Sequence, residues 1–347
     1  MTRSPSPKFK DPLLKVEGLK THFFIDGGVV RAVDQVDLEI FRGEVFGLVG
    51  ESGCGKTVTA LSVMGLIDEP GRVIGGKVIF DGISLGALAE EEMNQIRGGR
   101  ISLIFQDPQA RLNPVFTVGS QVAEIFQVHH GEPRQAAFER SVQLLQAVGI
   151  PDSADRVHAY PHELSGGQAQ RIMIAMALAL QPELIIADEP TSALDVTIQA
   201  QILDLMRQMR VERSTAIILI THDLGVIAGM ADRVAVMYAG QIVEQAKADD
   251  LYEQPMHPYT HGLLASIPYG LNDGQLPSIP GSPPDPANLP KGCRYAPRCE
   301  ERVEYGLKIC EVNSPSLNSL LPEHSIRCWL YESTPGHEPP LESSDRA

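Results

Sequence analysis

Eight residues constrain the fold of this chain more than any others: Gly50-Glu51-Ser52-Gly53-Cys54-Gly55-Lys56-Thr57. They fit G-x-x-x-x-G-K-[ST], follow the apolar run EVFGLVG and precede a helix-forming run from Lys56 to Leu66. A strand, a glycine turn and a helix start, in that order, form a cradle for phosphate. Gly50, Gly53 and Gly55 let the backbone wrap an anion with its N–H groups, and the helix N-terminus adds a positive dipole end. Lys56 would neutralise the outer phosphates, and the Thr57 hydroxyl would ligate Mg²⁺. Ser52 and Val58 belong to the same nucleotide-contacting stretch. Cys54 within it reads as a small tolerated side chain rather than a redox group. A chance glycine turn would lack the flanking strand and helix.

Such a loop needs carboxylates to hold the metal and activate water. The run LIIADEP, Leu184 to Pro190, ends in Asp188 and Glu189. Asp188 is placed to hold the Mg²⁺ shell, and Glu189 to activate the attacking water on the γ-phosphate. The two apolar runs ELIIAD and TAIILITHD flank a helical stretch from Thr197 to Arg213. Runs of that kind suit parallel strands buried on both faces. Residues 13–80 read as short strands (LLKVEGL, VDQVDLEI, EVFGLVG, GKVIF) around the phosphate loop. From about residue 90 to 180 the pattern is mostly helical, as in AAFERSVQLLQAVGI (Ala136 to Ile150). The expected fold is an α/β sandwich of the P-loop NTPase kind with a helical insertion.

Composition narrows the partners. The formal net charge of −15 over 347 residues weighs against a nucleic-acid partner, which Lys/Arg surplus would bind. The first residues, MTRSPSPKFKDP, carry no apolar core, so no secretory signal is expected. The longest apolar run, IMIAMALAL (Ile172 to Leu180), is far short of the roughly 20 residues a membrane span needs. A cytosolic address with reduced thiols is therefore the expectation.

A second phosphate-binding helix start stands at LSGGQAQR, Leu164 to Arg171. One chain with one complete phosphate loop has no need of it, unless it covers the nucleotide of another subunit. LSGGQ upstream of the DE strand, Gln106 in LIFQDP, Asp195 in SALD and His222 in LITHD occur here together and in order. The set resembles the ABC-type ATPases over roughly residues 12–250. That resemblance implies an antiparallel β subdomain and a helical subdomain, about residues 107–180, within an ATPase domain of residues 12–255. It implies a head-to-tail dimer with ATP sandwiched between phosphate loop and the partner's Ser165-Gly166-Gly167-Gln168 segment. Asp195 would lie at the seam. Gln106 would sense Mg²⁺ and water, His222 would contact the γ-phosphate, and Phe23 or Phe24 would stack on adenine. Ala169 stands where many relatives carry a larger residue, with the Ser and Gly residues intact.

Further stretches resemble the ATP-binding subunits of oligopeptide/dipeptide permeases, the peptide–nickel group of ABC importers. They are DGGVVRAVD, DPQARLNPVFTVGSQ, MHPYTHGLLASIP (Met256 to Pro268) and IPGSPPDPANLPKGCRYAPRC. The resemblance implies a second ATPase, by preference a paralogue, two transmembrane permease subunits and an extracytoplasmic solute-binding protein. It implies a peripheral place on the cytoplasmic face of the inner membrane. Dipeptide, longer peptide, nickel chelate and other small solutes stay open as cargo. A soluble ABC protein of repair or translation, and a metal- or redox-sensing regulator, are the rival classes. HPYTH reads as a surface helix beginning at Pro258, not as a histidine metal site. Residues 256–290 form a helix and connector, with six prolines between Pro277 and Pro290. Residues 291–331 form a tail spaced C-x5-C-x10-C-x17-C through Cys293, Cys299, Cys310 and Cys328. Four thiolates suit Zn²⁺ or a [4Fe–4S] cluster. The spacing separates these poorly; the resemblance favours the cluster, in a structural role, over zinc and over unliganded thiols.

Overall fold

The computed structural model describes residues 11–192, 194–266 and 278–342. The first ten residues, the connector segment 267–277 and the closing SSDRA lie outside these.

Two sheets share one buried layer. The smaller is antiparallel, in the order β2-β1-β4-β5, with β1 Leu14–Ile25, β2 Gly28–Ile40, β4 Gly71–Phe80 and β5 Ile83–Ser84. Along β2, Val36, Leu38 and Ile40 are buried while Asp37 and Glu39 are exposed. That alternation is what a sheet with one wet face requires. The larger sheet has eight strands, in the order β11 (Asn318–Leu321), β12 (His324–Ile326), β10 (Gln241–Lys247), β9 (Arg233–Tyr238), β3 (Val45–Val49), β8 (Ala216–Ile220), β7 (Leu184–Asp188) and β6 (Ile101–Ile104). Its centre is β3 (Val45–Val49), β7 (Leu184–Asp188) and β8 (Ala216–Ile220), whose residues are all buried. The fully apolar runs in the sequence are thus parallel strands covered on both faces, as their composition predicts. β6 (Ile101–Ile104) joins one edge, inside the region the sequence reads as helical. Its four residues are too short a run to register as a period.

Helices close the outer face. The phosphate-loop helix spans Lys56–Val63, and longer helices span Val118–His130, Arg134–Ala147, Gly166–Leu178 and Val196–Arg213. The helices between residues 118 and 178 bury their own core, which includes Val122, Phe126, Ile172 and Ala175. Among the described residues, no helix is long and apolar enough to cross a membrane.

On the other side of β3 lie β9 (Arg233–Tyr238) and β10 (Gln241–Lys247), antiparallel to each other. The C-terminal hairpin of β11 (Asn318–Leu321) and β12 (His324–Ile326) pairs with β10 through Glu244 and Gln245. The cysteine-bearing tail therefore continues the larger sheet, which nothing in its sequence announces. It also has a small core of its own, in which Leu307, Ile326, Trp329 and Leu330 pack.

Glu244, fully buried, ties β10 to this tail. It accepts the backbone N–H groups of Met256 (2.7 Å) and His257 (2.9 Å), and His324 Nε2 lies 2.7 Å from it. Burial pushes its carboxyl up. The hydrogen bonds from His324 and the two backbone groups outweigh that and hold it below the ordinary glutamate range. A carboxylate with a lowered folded-state pKa contributes stability above its unfolded pKa and loses it as pH falls through the folded one. Glu244→Gln is expected to lower unfolding stability by about 2–4 kcal/mol at neutral pH. It should also lose less stability on acidification than the wild type does. Urea midpoints at neutral and acidic pH check both expectations.

Candidate active site

Strand register decides where the chemistry can sit. Ile104 pairs with Ala187, Ala187 with Leu219, and Leu219 with Gly47, so these four stand at one level of the sheet. Two residues further along lie Gln106, Glu189, Thr221 and Val49; one more step reaches His222 and Gly50. The C-terminal ends of four parallel strands thus present these groups along one edge, where open α/β sheets bind ligands.

The phosphate loop is shaped by close backbone approach. Gly50 (φ +150°) has no room for a Cβ, which would fall 2.1 Å from the Met237 carbonyl oxygen. At Gly55 (φ +112°) a Cβ would fall 2.3 Å from the Ala32 oxygen. Lys56 Nζ donates to the carbonyls of Gly50 (2.7 Å) and Glu51 (3.0 Å), so the lysine spans the loop it belongs to. Cys54 is buried, and burial pushes its thiol up against the opposing pull of Lys56, which suits packing.

Opposite the loop, Glu189 occupies a left-handed backbone conformation (φ +48°), held by its N–H donating to the Ile220 carbonyl at 2.8 Å. Its carboxylate accepts from Gln106 Nε2 at 3.2 Å and lies 3.0 Å from His222 Nδ1. Asp188 is buried, which pushes its carboxyl up; the Thr57 hydroxyl donates to it and pulls the other way. These groups line one cleft of about 380 Å³ together with Ala32, Ser52, Gly53, Gly55, Lys56 and Val58. A volume of that size suits a small-molecule ligand.

Other expected residues lie elsewhere. Ser165 caps the helix Gly166–Leu178, exchanging hydrogen bonds with Gln168 (3.1 and 3.3 Å), and none of Ser165, Gly166, Gly167 or Gln168 lines this cleft. Asp195 caps Val196–Arg213 by accepting from Thr197 and Ile198. Phe23 and Phe24 lie on β1; Phe24 is about half exposed, and Phe23 packs where a Cβ on Gly71 would meet its ring at 2.5 Å. Neither lines the cleft, whose apolar lining is Val58 and Ala32, the latter a residue without any sequence signal.

The helix Pro258–Ala265 begins at the proline as expected but is not a surface helix: Pro258, Tyr259 and Thr260 are buried. Tyr259 packs between Tyr238 (ring centroids 4.6 Å) and Tyr295 (5.5 Å), and its hydroxyl accepts the Glu51 N–H at 2.8 Å. The aromatic contacts draw the helix inward. Arg298, another residue with no function assigned from sequence, meets the Glu51 carboxylate.

The four tail cysteines are free thiols. Burial is the main cause that pushes each of them up, Cys299 and Cys310 to about 12, and Cys293 acts electrostatically on the other three. They are neighbours of the right donor chemistry. Yet among the described residues no three His, Cys, Asp or Glu are disposed to hold a metal ion. The expected thiolate cage through Cys293, Cys299, Cys310 and Cys328 is therefore not formed as the residues stand. Cys293 and Cys299 pack against the main core, while Cys310 and Cys328 are buried in the tail core, where Cys293 packs as well.

Comparison with known proteins agrees with this geometry. A family model described as ABC transporter matches residues 33–192, and one described as oligopeptide/dipeptide transporter, C-terminal region, matches residues 243–305. The oligopeptide transport ATP-binding protein AppD of Bacillus subtilis is 48% identical over 324 residues, covering 92% of this chain and 97% of the relative. The dipeptide transport ATP-binding protein DppD of the same organism is 46% identical, covering 94% and 97%. OppD of Salmonella typhimurium, an oligopeptide transport ATP-binding protein, is 46% identical, covering 94% and 96%. Among solved structures, the dimeric ATP-binding cassette MJ0796 bound to ADP and Pi aligns with TM-score 0.62 at 26% identity, over 68% of this chain and 98% of that one.

Gly50→Ala would drive a methyl into the Met237 carbonyl at the head of the loop. It is expected to cost about 2 kcal/mol or more of stability and to abolish ATP binding. Calorimetric titration with ATP and a denaturant melt of the same variant check this.

Proposed function

This chain belongs to the ABC transporter family, in its oligopeptide/dipeptide branch, and on that premise we propose that it drives a peptide importer by hydrolysing ATP. The observation that carries the catalytic reading is the Glu189 carboxylate, held between Gln106 and His222 across the cleft from the phosphate loop. A carboxylate so fixed accepts the proton of an attacking water while the loop N–H groups and Lys56 hold the phosphates. Thr57, Asp188 and Gln106 would hold Mg²⁺, which would supply positive charge against the phosphates. His222 would read the γ-phosphate. The relatives named for peptide and dipeptide transport support that cargo class.

The assembly follows from the same branch. Ser165, Gly166, Gly167 and Gln168, away from the chain's own cleft, would close over the ATP of a second ATPase subunit, a paralogue, with Asp195 at the seam. Two membrane subunits and an extracytoplasmic binding protein complete it, which places this chain on the cytoplasmic face of the inner membrane. In the tail, Cys293, Cys299, Cys310 and Cys328 would gather as thiolates around a structural [4Fe–4S] cluster, or Zn²⁺. What supports this is four buried cysteine sulfurs in one neighbourhood, close enough that Cys293 acts electrostatically on the other three; binding a metal would require them to lose their protons.

Glu189→Gln is expected to bind ATP with near wild-type affinity and to assemble with the membrane subunits. Its turnover should fall by at least about 10². Normal turnover would remove Glu189 from the role of base. Chain purified without oxygen should contain iron and sulfide and absorb broadly near 400 nm (roughly, for thiolate-bound clusters). Zinc at one per chain would replace the cluster, and neither metal would end the ligand assignment.

A further inference from the structure

The second residue of the phosphate loop is an acid. Glu51 is a carboxylate in a loop built to receive anions, and left unpaired it would repel a nucleotide. It is paired. Arg298 approaches from the tail, Nη1 donating to one carboxylate oxygen at 2.7 Å and Nη2 to the other at 3.0 Å. This is the fork geometry in which a guanidinium binds a carboxylate most strongly. The arginine side chain is only 4% exposed, so solvent screens the pair little. The same guanidinium donates through Nε to the Pro280 carbonyl at 2.7 Å and lies over the Tyr238 ring. Its position is therefore set independently of the loop.

The backbone of Glu51 is held as well. Its N–H donates to the Tyr259 hydroxyl at 2.8 Å, and Tyr259 is wholly buried beside Tyr238 and Tyr295. Behind the loop, Pro283, Pro284 and Pro286 of the connector leave only about 30 Å³ against Glu51 and Ser52, room for about one water. Arg294, four residues before Arg298, pairs with Asp34 on β2, two residues from the Ala32 that walls the cleft. Both sides of the nucleotide cleft are thus gripped from residues 259–298. These contacts lie behind the loop, away from the face that the catalytic groups line.

We propose that the C-terminal extension positions the phosphate loop for ATP, through Arg298 and Tyr259 acting on Glu51. Arg298 neutralises the one acidic side chain in the loop and fixes it away from the phosphates. Tyr259 accepts the Glu51 N–H. Neither residue touches the nucleotide; both are positioning residues, and they make ATP affinity depend on the seating of the extension. The inference rests on Gly50–Thr57 being the ATP phosphate loop.

ATP binding and steady-state hydrolysis by the full-length chain test it. Arg298→Gln is expected to weaken ATP binding roughly tenfold, with kcat at saturating ATP within about twofold of wild type. Glu51→Gln added to Arg298→Gln should recover most of the affinity, because the uncompensated charge is gone; a purely structural role for Arg298 would give no such rescue. Wild-type affinity in Arg298→Gln, or a double variant as weak as the single, overturns the proposal. If Arg298→Gln does not fold, Tyr259→Phe decides: a severalfold loss of affinity at unchanged melting temperature upholds it, and wild-type affinity overturns it. Lys56→Ala in the same assay tests the underlying loop assignment, and wild-type ATP binding by that variant overturns both.

Discussion

Five parallel strands in register are the constraint on which the rest depends. Because Ile104, Ala187, Leu219, Gly47 and Val234 lie side by side, the chain leaves the sheet at one level from β6, β7, β8 and β3. Gln106, Glu189, His222 and the phosphate loop start there, although more than a hundred and seventy residues separate the first and last in the chain. The register is held by burial on both faces. Slipping one strand by one residue would leave the apolar content unchanged but move the strand-end group it carries off its neighbours.

Around this edge the backbone itself comes close. Gly50 and Gly55 are glycines because carbonyl oxygens of Met237 and Ala32 occupy the places their Cβ atoms would take. One of those carbonyls lies at the end of β9 and the other on β2, so the loop is clamped between the main sheet and the antiparallel one. The C-terminal extension adds a third support through Tyr259, Arg298 and the proline strap. A loop made of flexible glycines is thus rigid in place, which limits the ordering a bound phosphate would require.

How much of this was legible varies with the kind of signal. The loop, the DE strand end and the apolar strands were readable because their spacing is local and each residue type has one physical use. HPYTH was half readable: Pro258 marked the helix start, but its burial follows from three tyrosines that meet only in the folded chain. The Phe23-Phe24 pair offered aromatic rings without saying which way β1 would face, and neither ring borders the cleft. In CRYAPRC the two cysteines draw attention, while the arginines between them, which look like ordinary surface charges, hold Asp34 and Glu51.

The sequence by itself determined the glycine-rich loop, the strand-end pair Asp188-Glu189, the buried parallel strands and the family, because these are carried by short runs whose chemistry is set by neighbours in the chain. Only the tertiary structure decided that the tail hairpin pairs with β10, that Glu244 joins it to the sheet, and that Arg298 neutralises Glu51 from 247 residues away. The physical reason is that a charge or a strand edge selects its partner by proximity and burial, and proximity between distant segments exists only once the core has folded.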